Sequence, residues 1–129
     1  MPADEQFTQA LAWGDVDGDG DLDLVLGNYG QQSRLYRNDG SGVFVDVTAT
    51  HLPAIADGTS AVALGDVDGD GDLDLVVGES GTNVSPGQER LLANTGNGVF
   101  VDVTAAQMPV LDDVTYCLAL VDVDGDGDL

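Results

Sequence analysis

The chain has 129 residues, 43% of them hydrophobic, which is enough apolar surface to build the core of one small domain and excludes a disordered segment. Its formal net charge is −21, from 24 acids against three arginines (Arg34, Arg37 and Arg90) and no lysine. A phosphate backbone needs a cationic footprint that three arginines do not make, so nucleic acid is excluded as a partner, and insertion into or binding to an anionic membrane is disfavoured.

The first fourteen residues carry neither a basic start nor a long apolar stretch and are not a signal peptide. No apolar run approaches the ~20 residues of a membrane-spanning helix. An export signal, for an exported protein, lies outside this sequence. Ala10 to Gly14 is short and apolar and predicts a first strand. It runs into Asp15-Val16-Asp17-Gly18-Asp19-Gly20-Asp21-Leu22-Asp23, five aspartates at alternate positions. Two like charges about 4 Å apart repel by roughly 4 kcal/mol at an effective dielectric of ~20, so the loop resists compaction unless a cation neutralises it. Leu22 to Gly27 leaves the loop as a second strand. Arg34 to Arg37 predicts a third and Val43 to Thr48 a fourth, rich in aromatic and β-branched residues. Between these two lies Asn38-Asp39-Gly40-Ser41-Gly42, with the residues a tight hairpin needs for positive φ. The pattern then restarts with Ala61 to Gly65, the acidic run from Asp66 to Asp74 and the strand Leu73 to Gly78. It begins a third time with Cys117 to Val121 and the run from Asp122 to Asp128. Helical periodicity is absent.

The runs begin at Asp15, Asp66 and Asp122, 51 and 56 residues apart, and hold fourteen of the 24 acids. The acidity therefore belongs to repeated loops more than to the whole surface. A second block repeats in phase: Arg34 to Ala49 matches Arg90 to Ala105, 56 residues on. The five extra residues of the second unit fall between Glu79 and Glu89, and the rest of the frame is constant. The whole chain, 1–129, reads as part of one β-propeller, with units of approximately 9–60 and 61–115 and the start of a third at 116–129. Four short strands in a unit of ~40 to 50 residues are what a propeller blade requires, so the predicted fold class is all-β, in four-stranded antiparallel meanders.

Carboxylates at loop positions 1, 3 and 5, glycine at 6, a backbone carbonyl at 7 and an oxygen at 9 let a short loop wrap a calcium ion. The first loop supplies Asp15, Asp17, Asp19, Gly20, the carbonyl of Asp21, and Asp23. The second supplies Asp66, Asp68, Asp70, Gly71, the carbonyl of Asp72, and Asp74. The third has Asp122, Asp124, Asp126 and Asp128 but stops at Leu129, one residue short of position 9, so two complete Ca2+ sites and a truncated, weak or silent third are expected. All-oxygen ligation favours a hard cation over zinc or copper. An EF-hand is excluded, because its glutamate at position 12 is here Leu26 or Val77 and its helical flanks are here strand-like. The position 9 aspartates, Asp23 and Asp74, are accordingly expected to do the bidentate work.

These units resemble FG-GAP repeats, in particular the bacterial VCBS-type relatives of the blades in integrin α-subunit propellers. The resemblance rests on Leu64 to Leu75 and its first copy, with Trp13 in place of leucine, on Asn38 to Phe44, and on Asp-Val-Thr-Ala at 46–49 and 102–105. The literal Phe-Gly and Gly-Ala-Pro signatures are missing, with Gly42-Val43-Phe44 and Gly98-Val99-Phe100 their nearest traces. The resemblance implies seven blades, of which this chain supplies two and a fraction, calcium between the first two strands of each, and recognition or adhesion outside the cell, at the cell surface or in the periplasm.

Two blades and a fraction do not close a propeller, so the remaining blades of a longer chain, or self-association, are expected partners. In an up-and-down blade the acidic loops and the Asn/Gly hairpins share one face. The longer 79–88 loop and the connections 50–60 and 106–115 lie on the other, where a protein or carbohydrate ligand is expected. No catalytic residue is assigned. His51 aligns with Gln107 and has no second histidine, and repetition of the acids argues for a scaffold. The competing reading is the propeller portion of an extracellular carbohydrate-active enzyme or a lectin. Trp13 and Cys117 align with Leu64 and Ala61, so both are expected to be buried, Cys117 as an inert thiol. Arg34 and Arg90 share a frame position and are expected to make a structural contact, and Tyr29 is expected to be exposed.

Overall fold

The computed structural model describes residues 6–55, 58–81, 87–110, 114–125 and 129. Eight strands form two four-stranded antiparallel sheets. The first holds β1 (Thr8–Gly14), β2 (Asp23–Asn28), β3 (Arg34–Asn38) and β4 (Phe44–Asp46) in the order β1-β2-β3-β4. The second repeats it with β5 (Thr59–Gly65), β6 (Asp74–Glu79), β7 (Arg90–Asn94) and β8 (Phe100–Asp102). The register repeats as well: Trp13 lies opposite Leu24 as Leu64 lies opposite Leu75, and Tyr36 opposite Asp46 as Leu92 opposite Asp102. Each first strand carries its irregularity at the same place, between Thr8 and Ala10 and between Thr59 and Ala61. The chain is all-β and each sheet is a propeller-type blade.

Two elements were not expected. Single-turn helices, α1 (Thr48–His51) and α2 (Thr104–Gln107), follow β4 and β8. Four residues are too few to show a 3.6-residue period, so composition hides them. The threonine that opens each turn is buried and serves the neighbouring strand: Thr48 Oγ1 accepts the Leu35 N–H and Thr104 Oγ1 the Leu91 N–H, each at 3.0 Å. The expected fourth strand, Val43 to Thr48, is accordingly shorter in the structure.

The blades stack through one apolar core in which Val25 and Leu35 of the first blade meet Leu75, Val77 and Leu92 of the second, with Val16 and Phe100 closing it. Glycines let the sheets approach. A Cβ on Gly27 would lie 2.7 Å from Thr59 Cγ2 and 3.1 Å from Val62 Cγ1, and one on Gly78 would lie 2.8 Å from Thr115 Cγ2 and 3.2 Å from Leu118 Cδ1. The third unit thus meets the second as the second meets the first. Its expected strand at Cys117 to Val121 does not form, and among the described residues no counterpart of β2 or β6 pairs with this segment. Cys117 is consequently exposed, not buried. Trp13 is also a correction. It is 51% exposed, whereas Leu64 packs on Gly14 of the first blade, and the Trp13 ring meets Phe44 edge-on at 6.0 Å. Tyr29 is exposed as expected.

Candidate metal centre

The acidic loops sit at the β1–β2 and β5–β6 turns and are built from their own aspartates. Asp15 Oδ1 accepts the N–H groups of Gly18 at 2.8 Å and Asp19 at 3.1 Å, and its Oδ2 accepts that of Gly20 at 2.9 Å. Asp66 does the same for Gly69 at 2.8 Å and Gly71 at 3.0 Å. Asp17 and Asp19, and Asp68 and Asp70, each accept the N–H two residues on. The turn these bonds describe needs positive φ at Gly20 (95°) and Gly71 (97°), which explains glycine at position 6. The third loop starts the same way, with Gly125 N–H donating to Asp122 Oδ1 at 2.6 Å.

Curled in this way, each loop gathers carboxylates. One oxygen from each of Asp15, Asp17 and Asp19 lies within 4.8 Å of the others, and so does one from each of Asp66, Asp68 and Asp74. The side chains of Asp21 and Asp72 lean toward the hairpins instead: a Cβ on Gly40 would meet Asp21 Oδ2 at 2.5 Å and one on Gly96 would meet Asp72 Oδ2 at 3.2 Å. Asp70 is exposed and outside the second cluster. Asp122 and Asp124 join no such cluster among the described residues, and Asp126 and Asp128 lie outside the described residues.

Position 9 has a second duty that spacing alone does not reveal. Asp23 is fully buried; its Oδ2 accepts the Val16 N–H at 3.0 Å and its Oδ1 the Asn38 N–H at 2.9 Å. Asp74 binds Val67 and Asn94 at the same distances. Each therefore ties the acidic loop to the end of the third strand, and a bidentate role would be shared with these donors.

The two loops differ in surroundings. The hairpin between β7 and β8 roofs the first: Asn94 Nδ2 donates to Val16 O at 2.8 Å, across blades, and to Leu73 O at 3.1 Å within its own. The Asp17 side chain is only 6% exposed under this roof and pairs with the Arg37 guanidinium. Burial pushes the Asp17 carboxyl above its ordinary value, the charges of Asp23 and Asp19 add to this, and Arg37 opposes it. Asp68 is exposed, yet partial loss of water and the charges of Asp70, Asp74 and Asp66 raise it too. Arg37 and Asn94 went unassigned in the sequence. Asn94 was legible as half of an invariant pair with Asn38, and Arg37 as a break in the repeat, where the second unit has Ala93.

Arg34 and Arg90 make the expected structural contact, pairing with Asp46 at 3.0 Å and Asp102 at 3.1 Å. Acidic loops and Asn/Gly hairpins share one end of the blades. At the other end Gln32 Nε2 donates to Pro53 O at 3.3 Å, Tyr29 bridges to Gly58, and Ser80 N–H donates to Gly58 O at 2.9 Å.

Two family models match this chain, one described as an FG-GAP-like repeat over residues 15–77 and one as an FG-GAP repeat over residues 58–98. No curated protein matches it. FG-GAP repeats are typical of extracellular and cell-surface proteins with adhesive or propeller domains.

Proposed function

The chain belongs to the FG-GAP-type repeat family, and we propose that it is a calcium-stabilised, non-catalytic recognition or adhesion segment of an extracellular or cell-surface propeller. The observation that carries this is the pair of carboxylate clusters, Asp15/Asp17/Asp19 and Asp66/Asp68/Asp74, formed at the same turn of two blades. The donor set fits the ion: all ligands are hard oxygens, and the loops are curled by their own backbone before any cation arrives. Calcium supplies charge neutralisation there, and two filled sites move the formal charge from −21 to −17. The residues that would hold it are these six, with the carbonyls of Asp21 and Asp72 and with Asp23 and Asp70 at the remaining acidic positions. No helix among the described residues is long and apolar enough to cross a membrane.

Further blades are the natural neighbours. Leu11 and Trp13 are exposed on the first blade, at the positions where Val62 and Leu64 pack on the glycines of the blade before. A ligand binds at the end opposite the acidic loops, around Tyr29, Gly58 and Ser80, where the second unit carries its insertion. Calorimetric titration with calcium and with magnesium tests the central part. Two sites in the ~0.1 to 1 mM range of extracellular calcium modules are expected, with magnesium weaker. Absence of calcium heat would overturn it.

A further inference from the structure

The first loop contains a cation of its own. Arg37 sits on β3 opposite Val45, and its guanidinium pairs with Asp17, a member of the first carboxylate cluster. The second blade has Ala93 at that position, opposite Val101, and among the described residues no arginine pairs with Asp68. The pair is poorly satisfied. Arg37 Nε is buried with no acceptor, and Asp17 Oδ2 is buried and meets the guanidinium without an aligned hydrogen bond. A permanent structural pair, such as Arg34 with Asp46, makes a proper hydrogen bond at 3.0 Å.

From this we infer that Arg37 is a tethered counter-cation of the first loop, which competes with calcium for Asp17 and raises the calcium concentration that loop requires. The inference rests on the calcium reading given above. Two cations sharing one poorly hydrated carboxylate repel, so one of the partners moves aside when calcium enters. Asp17 is the less free to move: a Cβ on Gly98 would lie 3.5 Å from Asp17 Cβ and 3.2 Å from Val16 Cγ2, so the second blade's hairpin closes over it. The Arg37 side chain is 38% exposed and has a path to water. Arg37 is thus the residue that swings out, and the first loop exchanges an internal positive charge for an external one. Among the described residues the second loop has no such internal cation.

A calcium chloride titration followed by backbone amide NMR separates the loops. Gly20 N–H donates to Asp15 Oδ2 and Gly71 N–H to Asp66 Oδ2, so each amide reports its own loop. Arg37→Gln is expected to lower the calcium midpoint at Gly20 on the order of tenfold while leaving Gly71 unchanged, and Arg37→Lys to stay near the wild type. Ala93→Arg, in the otherwise native chain, is expected to raise the midpoint at Gly71, and it carries the test should Arg37→Gln fail to fold. A Gly20 midpoint unchanged or raised in Arg37→Gln, with Gly71 still responding, overturns the role of Arg37 alone. Amides silent to calcium in both loops of every variant would overturn the calcium reading and this role with it.

Discussion

Thr48 and Thr104 show how one hydroxyl holds a strand to the turn that follows the blade. Each is buried, and each accepts a strand N–H that has no ladder partner at that point. Thr48→Val keeps the shape but leaves the Leu35 N–H buried without an acceptor, at an expected cost of about 1 to 3 kcal/mol. Urea unfolding measures it, and Thr48→Ser should recover most of the loss. The same threonines act on the neighbouring carboxylates. Burial raises Asp46 and Asp102, but hydrogen bonds from Thr48 and Thr104 and the charges of Arg34 and Arg90 outweigh it and leave both below the ordinary aspartate value. A depressed folded pKa contributes stability that is present above the unfolded value of ~3.9 and is lost as pH falls through the folded one. In chelator, acid titration of stability should therefore show a loss below about pH 4 that shrinks in an Arg34→Gln/Arg90→Gln variant. An identical acid limb in both proteins would remove these pairs from the explanation.

Between elements, Asn94 makes bonds both across blades and within its own. Its amide Nδ2 spans two blades, and its Oδ1 accepts the N–H groups of Gly96 at 3.0 Å and Gly98 at 3.1 Å to form the hairpin. Asn38 makes the analogous bonds within its own blade, to Leu22 O and from Gly40 N–H, but no bond across blades among the described residues. Asn94→Ala should cost about 2 to 4 kcal/mol and Asn38→Ala clearly less. Equal losses in denaturant unfolding would show that the cross-blade bond carries no stability. Strand positions, hairpins and the acidic turns were legible because each rests on local signals: β-branched runs, Asn-x-Gly turns and alternate aspartates ending in glycine. The one-turn helices are hidden by their brevity, and the exposure of Trp13 and Cys117 has one shared cause. Burial in a repeat depends on the next blade, so alignment of Trp13 with Leu64 transfers position without transferring its cover.

Across the described residues, the two blades repeat one strand order and register, with a common core and an acidic turn at the same end of each. The spacing of the aspartates identified which residues gather, but not how they divide their labour. Asp23 and Asp74 are hydrogen-bond hubs as well as candidate ligands, and Asp21 and Asp72 turn their side chains away. What unites these details is that the acidic turn gathers first strand, second strand and hairpin through its own hydrogen bonds, and holds them more firmly when its charge is met. Denaturant unfolding in saturating calcium against chelator tests this most directly. At a free calcium level a hundredfold above the dissociation constant, each filled site should add about 2.7 kcal/mol, and replacing Asp15 and Asp66 with asparagine should abolish the difference. Identical unfolding curves in calcium and in chelator would contradict it.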